Sequence, residues 1–360
     1  MKTLNIDSIL SIASKTPSGD NVQQWIFSPK ESENQLDIYH DHIIAKHAFN
    51  PENIASCLSF GMMMFLIEDE ALRQGYLTKF NVFEEGLTNS DKIFIQCKFE
   101  VNESDKKPYY SVDTVLARSI GRGYFKKKEK ITEDLKDLFN ELSTDSDLIK
   151  FSVAEKVSNE TLKAMKKIEY AFWNKKNYLK DIFKWVHFTN SYYQKTRRGF
   201  HWKELGLNPQ ELGFVYLIKK FTSFAIGLFN AGAYLMIYNK LAGSLNNAGL
   251  LLISLKRKPT TQEWLEIGKK VMRVWLKLTE LGMVVQPLSI QSFFVSFHKW
   301  GININDWSVE TIANLEKNLQ EDFKTTEAYT PFWMQRFGVP AQKTTYRSLR
   351  VPVRELIKAK

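Results

Sequence analysis

The chain has 360 residues, 44 % hydrophobic, 13 % aromatic and 25 % charged, with a formal net charge of +10. That is an ordinary globular composition, long enough for two domains or for two halves of one large unit. The lysines are scattered along helical segments, and the one dense run, at 126–128, is too short for a nucleic-acid arm; neither a nucleic acid nor a membrane surface is expected as partner. Cys57 and Cys97 belong to no CxxC motif, and the N-terminus has no apolar signal region, so a reducing, cytoplasmic setting is expected.

In chain order, Asp7 is placed to cap a short helix whose Ile9, Leu10 and Ile12 face inward and which stops before Pro17. A polar turn follows from Pro17 to Trp25, then a strand at 36–39. Asn50 and Pro51 start a long apolar helix through Ile54, Leu58, Met62 and Phe65 to Gly75, and 92–101 alternates as a strand. From Val112 the spacing is helical again, with Arg118 and Arg122 four apart. Helix is expected at 131–142, a strand at 150–153, a long Lys-rich helix at 158–186 and a loop at 196–209. The uncharged stretch 222–238 is short for a membrane span and reads as a buried helix. The run 249–255 is the best buried strand. Helix 261–282 opens on a capping box of Thr260 and Glu263, carries an apolar stripe through Trp264, Val271, Trp275 and Leu278, and stops at Gly282. A helix at 308–323, a strand and turn at 333–340 and a basic tail at 347–352 complete the chain.

Two features organise this pattern. Gly61 and Gly75 are fourteen residues apart, and so are Gly268 and Gly282; each helix ends in a Gly followed by a large apolar residue, Tyr76 or Met283. An internal two-fold repeat is expected from that match. Strands and helices mix without βαβ alternation, and neither GxGxxG nor GxxxxGK[ST] occurs, so the expected class is α+β.

Candidate chemistry is concentrated in polar turns and paired arginines. His40 and His42 form an HxH pair, with both rings on one face if the strand continues, but no third ligand is identifiable and no metal is expected. No G-x-S-x-G elbow supports nucleophilic catalysis. In the 17–25 turn, Ser18, Gly19, Asn21 and Gln23 suit either the edge of a heterocycle or a plain capping turn around Trp25. Arg118 and Arg122 on one helical face suit either a phosphate clamp or a solvated helix end, and Arg347 and Arg350 leave the same choice.

The segment PSGDNVQQW at 17–25 resembles the P-S-x-x-N-x-Q-P-W turn of nitroreductase-like flavoproteins, with Gln24 in place of Pro. RSIGRGYF at 118–125 resembles the family's R-x-[ST]-x-R-x-F stretch, with Ile120 where Ser or Thr is usual. GMVVQPLS at 282–289 is similar to its helix end and Pro-containing segment, and RSLRVP at 347–352 to its basic C-terminal motif. The order of the pieces resembles the Acg-like branch, in which two nitroreductase repeats are fused in one chain and imitate a homodimer.

The resemblance implies two fused nitroreductase-like repeats, a half-repeat at 1–110 and a second repeat at 111–360, forming a monomeric pseudo-dimer with one FMN in the seam. It implies that Arg118, Arg347 and Arg350 meet the phosphate, with Arg122 at the pyrimidine side, where it stabilises reduced flavin. Ser18, Gly19, Asn21 and Gln23 reach across from the other half, the backbone near Leu288 and Ser289 lies close to flavin N5, and Pro287 belongs to the segment against the flavin. A lid is implied, with 195–207 as candidate. The implied activity is transfer of hydride from NAD(P)H to a small-molecule acceptor. The alternative is a lidded protein that stores FMN with little turnover. A colourless basic protein that binds nucleic acid or membrane is the third class.

Overall fold

The structure is a computed structural model that describes residues 3–126, 131–173, 175–206, 209–228, 243, 245, 247–302, 308–342 and 347–358. Helix α1 (Ile6–Ala13) is capped by Asn5, whose side chain accepts from the Ser8 N–H, so Asp7 lies inside the first turn and is not the cap. Strands β1 (Trp25–Lys30) and β2 (Gln35–His40) form a hairpin. Helix α2 (Ile54–Gln74) follows, stopped by Gly75 at φ +88°. Then come β3 (Tyr76–Val82), the short α3 (Glu85–Thr88) and β4 (Ile93–Val101). All pairings are antiparallel and the sheet order is β1-β2-β4-β3. Sequence patterning missed β1 and β3. Both are edge strands, and β1 carries Pro29, which an edge tolerates because it leaves no central ladder bond unmade.

Helix α4 (Val112–Ala117) ends one residue before Arg118, and α5 (Glu133–Thr144) and β5 (Ile149–Ala154) agree with the expected pattern. The long helix expected at 158–186 is two helices, α6 (Asn159–Trp173) and α7 (Lys176–Trp185), because Lys175 is extended, at φ −98° and ψ 105°. A strap of β6 (Val186–His187), α8 (Asn190–Thr196) and β7 (Phe200–His201) follows, with β6 and β7 paired in parallel. Helix α9 (Pro209–Leu228) begins on a proline, whose missing N–H is harmless in a first turn, and takes in only the start of the apolar stretch at 222–238. The rest of that stretch lies outside the described residues, and none of the described helices is long and apolar enough to cross a membrane.

Strand β8 (Gly249–Leu255) is buried at every position because β5 and β10 flank it in the sheet and its side chains alternate between two apolar cores, Leu251, Ile253 and Leu255 entering one and Leu250 and Leu252 the other. Helix α10 (Thr261–Glu280) has the capping box of Thr260 and Glu263 with both reciprocal bonds present. Gly282 follows at φ +74°. Then come β9 (Val284–Pro287), α11 (Ser289–Lys299), α12 (Val309–Asp322) and β10 (Thr330–Gly338). The second sheet is also antiparallel, in the order β5-β8-β10-β9. Numbered by appearance within each sheet, both sheets run first, second, fourth, third, with a long helix between the second and third strands.

Those two helices, α2 and α10, pack against each other through Gly61 and Gly268. A Cβ on Gly61 would lie 2.0 Å from the Leu265 carbonyl oxygen and 2.9 Å from Gly268 Cα, so the backbones touch only because neither residue has a side chain. One contiguous apolar core takes in α2, α10 and the inward faces of both sheets. The chain then returns to its beginning. Phe27 N–H donates to the Leu356 carbonyl at 2.7 Å, and Lys358 N–H donates to the Phe27 carbonyl at 2.7 Å. That return lays the basic tail along the 17–25 turn.

Candidate functional site

The 17–25 turn is held in an unusual backbone shape. Asp20, Asn21 and Gln23 all have positive φ, at 46°, 54° and 52°, a region that costs non-glycine residues energy and is retained where surrounding contacts fix it. Those contacts are present. Ser18 Oγ accepts from the Gln23 N–H at 3.0 Å. Asn21 Nδ2 donates to the carbonyls of Gly199 at 3.0 Å and Leu349 at 3.1 Å, and its Oδ1 accepts from Arg350 Nη1 at 2.7 Å. Gln23 is fully buried; its Nε2 donates to the Arg197 carbonyl at 2.7 Å and its Oε1 accepts from the Val351 N–H at 2.9 Å. The turn thus joins the strap 186–206 to the basic tail.

Arg118 and Arg122 do not share a helical face. Arg118 is extended at ψ 129°, and Ile120 bridges in parallel to Val285, so the segment runs alongside β9 instead of coiling. Gly121 permits this, since a Cβ there would lie 2.2 Å from Val284 Cγ2. The two arginines nonetheless line one cavity of about 730 Å³, with Ser18, Asn21, Arg347 and Arg350. Arg118 Nη2 donates to the Lys15 carbonyl at 2.8 Å, and Arg350 Nη2 reaches the same oxygen at 3.4 Å. Arg347 is exposed and donates to the Leu116 and Ala117 carbonyls, ending α4, so it stands at the rim. Arg122 Nη1 donates to the Glu204 carbonyl at 3.0 Å, and its guanidinium lies 4.4 Å over the Phe200 ring.

Burial, with Arg350 and Arg347 adding repulsion, pulls the Arg118 pKa down to about 9. Burial brings Arg350 to about 10 and lowers Arg122, and burial followed by Arg350 lowers Lys15. Cations crowded in this way are stabilised by a multivalent anion. Lys15, which lines the cavity, escaped the sequence reading; its signal was its place two residues before Pro17.

A second chamber of about 510 Å³ adjoins the first and shares Pro17, Ser18, Ile120, Arg122 and Phe200 with it. It is walled mainly by apolar and aromatic side chains, among them Phe49, Phe172, Phe293, Trp275 and Trp333. Gly19, Pro287 and Leu288 line it, and a Cβ on Gly19 would meet nothing within 4 Å. Ser289 opens α11, with its side chain outside the described residues. Gln23 lines neither chamber. A ligand with a flat aromatic part and a phosphate arm fits this pair of spaces: cations converge at one end, and an apolar slot with room beside Gly19 lies at the other.

The strap closes over this junction. Arg198 Nη1 donates to the Gln23 carbonyl at 2.6 Å, and Tyr193 Oη donates to Glu204 Oε1 at 2.6 Å while accepting from the Leu349 N–H at 2.7 Å. The loop expected at 196–209 therefore holds a short strand and a 3-10 turn, and Phe200 and Glu204 face Arg122.

The HxH pair does not present both rings from one strand face. Strand β2 ends at His40, whose Nδ1 lies 2.8 Å from the Leu87 carbonyl, while His42 sits in the following turn with Nδ1 2.8 Å from Ser90 Oγ. Among the described residues no three His, Cys, Asp or Glu side chains are grouped to hold a metal.

No family model matches the chain, and no curated protein sequence matches it. Among solved structures it is similar to the FMN and NADPH-dependent nitroreductase NfnB from Sphigopyxis sp. strain HMH, at 11 % identity over 69 % of this chain and 97 % of that one, with a TM-score of 0.37. It is similar to a nitroreductase with bound FMN from Desulfitobacterium hafniense DCB-2, at 12 % identity over 70 % of this chain and 100 % of that one, with a TM-score of 0.34. It is also similar to the FMN-dependent nitroreductase NfnB from Mycobacterium smegmatis in complex with NADPH, at 9 % identity over 69 % and 96 %, TM-score 0.34. At these scores the likeness adds nothing to the geometry of the site.

Proposed function

We propose that this chain is an FMN-dependent oxidoreductase formed by two fused nitroreductase-like repeats, at 1–110 and 111–360, and that it passes hydride from NAD(P)H to a small-molecule acceptor. Support for the fusion comes from the shared strand order of the two sheets and from the matched glycines where α2 meets α10. The observation that carries the flavin reading is the bond from Arg350 to Asn21 beside Arg118 and Lys15, at the mouth of a cavity that adjoins an aromatic chamber.

In this reading Arg118, Arg350 and Lys15 hold the phosphate through charge-assisted bonds, with Arg347 at the rim. Ser18, Gly19, Pro287 and Leu288 border the ring, and Asn21 and Gln23 fix Arg350 and the tail. Bound flavin supplies two-electron hydride chemistry. Arg122 supplies a fixed cation, half-buried against Phe200, that favours the negatively charged reduced form. The strap 186–206 excludes water from the junction.

The test is purification without added flavin, an absorbance spectrum, and aerobic oxidation of NAD(P)H. A yellow protein that consumes NAD(P)H is expected. Colourless protein that also refuses added FMN overturns the reading. The tight strapping of 186–206 to the turn favours a second possibility, storage of FMN under a closed lid. A yellow protein reduced by dithionite but not by NAD(P)H decides for storage.

A further inference from the structure

We propose that Arg336 is the positioning residue for Arg122, aiming it by holding the peptide groups on either side. The proposal rests on the flavin reading for its redox consequence, and on geometry alone for the positioning itself.

Arg336 lies on β10 and is fully buried. Its Nη2 donates to the Gly123 carbonyl at 2.8 Å and to the Gly121 carbonyl at 3.2 Å, the two carbonyls that bracket Arg122. Its Nε donates to Gln286 Oε1 at 2.7 Å, which fixes the fork from the β9 side. The face of the guanidinium lies 4.5 Å over Phe125, three residues beyond Arg122. A single nitrogen, Arg336 Nη2, holds both carbonyls and so fixes the peptide planes on either side of Arg122, setting the direction in which its side chain leaves the backbone toward the strap. There Arg122 meets Phe200 and the Glu204 carbonyl. Backbone bonds from Gly121 N–H to the Val285 carbonyl at 3.0 Å and from Lys126 N–H to the Val339 carbonyl at 2.8 Å fasten the ends of the segment. Between them the Tyr124 carbonyl accepts from the Ala341 N–H at 2.9 Å, and Arg336 holds the Gly121 and Gly123 carbonyls on either side of Arg122. A lysine keeps the charge but has no Nε to bond Gln286 and no plane to stack on Phe125, so Arg336→Lys loses the contacts that aim the grip on the two carbonyls.

The experiment uses full-length protein in wild-type, Arg336→Lys, Arg122→Met and double-variant forms, each checked for folding by circular dichroism and melting. The first readout is labelling of Arg122 by phenylglyoxal, followed by peptide mass spectrometry without flavin. Labelling about tenfold faster in Arg336→Lys than in wild type is expected. The second is the midpoint potential of bound FMN. Arg336→Lys is expected to weaken the preference for reduced flavin about tenfold, roughly 30 mV for a two-electron couple. The double variant is expected to fall no lower than Arg122→Met alone. Unchanged Arg122 labelling, or a potential shift that adds in full to that of Arg122→Met, overturns the proposal. If wild type takes up no FMN, the flavin reading fails and the labelling alone decides the positioning role. Should Arg336→Lys not fold, Gln286→Met, which releases Arg336 Nε, carries the same comparisons.

Discussion

Gly61 and Gly268 lie opposite one another where α2 crosses α10, with the Cβ position of each 2.9 Å from the Cα of the other. Each is fourteen residues before the glycine that follows its helix, so the crossing falls at the same point along both.

Gly61→Ala is therefore expected to force the helices apart. Its new methyl group would meet backbone, which cannot rotate away, and the cost is expected at the upper end of overpacking changes, about 3 kcal/mol. Thermal melting checks this against Gly19→Ala, which faces open space and should leave the melting temperature unchanged.

The crowded cations give a pH signature. Arg118 has a folded pKa of about 9, below the ordinary guanidinium value it keeps in the unfolded chain, because it is buried and repelled by Arg350 and Arg347. Between those values the unfolded chain binds more protons, so this group adds stability as pH rises above about 9 and none below it. Urea denaturation without ligand at pH 8 and pH 10 is expected to move wild type relative to Arg118→Met by about 1 kcal/mol in favour of wild type. At pH 8, adding FMN or inorganic phosphate should stabilise wild type more than the variant.

Gln23 joins three parts of the chain, and Gln23→Leu leaves the Val351 N–H and the Arg197 carbonyl without their amide partner. A loss of about 1–3 kcal/mol is expected. Hydrogen exchange should show faster exchange at the Val351 amide and across the strap, with the second sheet unaffected. Uniform loss of protection instead would mean that Gln23 only fills space.

The sequence by itself determined those parts of the fold that local physics decides. The capping box, apolar stripe and terminal glycine of α10, the buried run of β8 and the close of α2 at Gly75 all follow from spacing within a few turns. So does the polar character of the 17–25 turn. The edge strands β1 and β3 were hidden because half-exposed edges carry a weak alternation, and the break at Lys175 because helical propensity runs through it. Only the tertiary structure decided that Arg118 and Arg122 lie on an extended segment, since a parallel bridge to Val285 outweighs their helical spacing. Only it brought Arg350 onto Asn21, 329 residues away, because that contact depends on the tail returning to the edge of the first sheet.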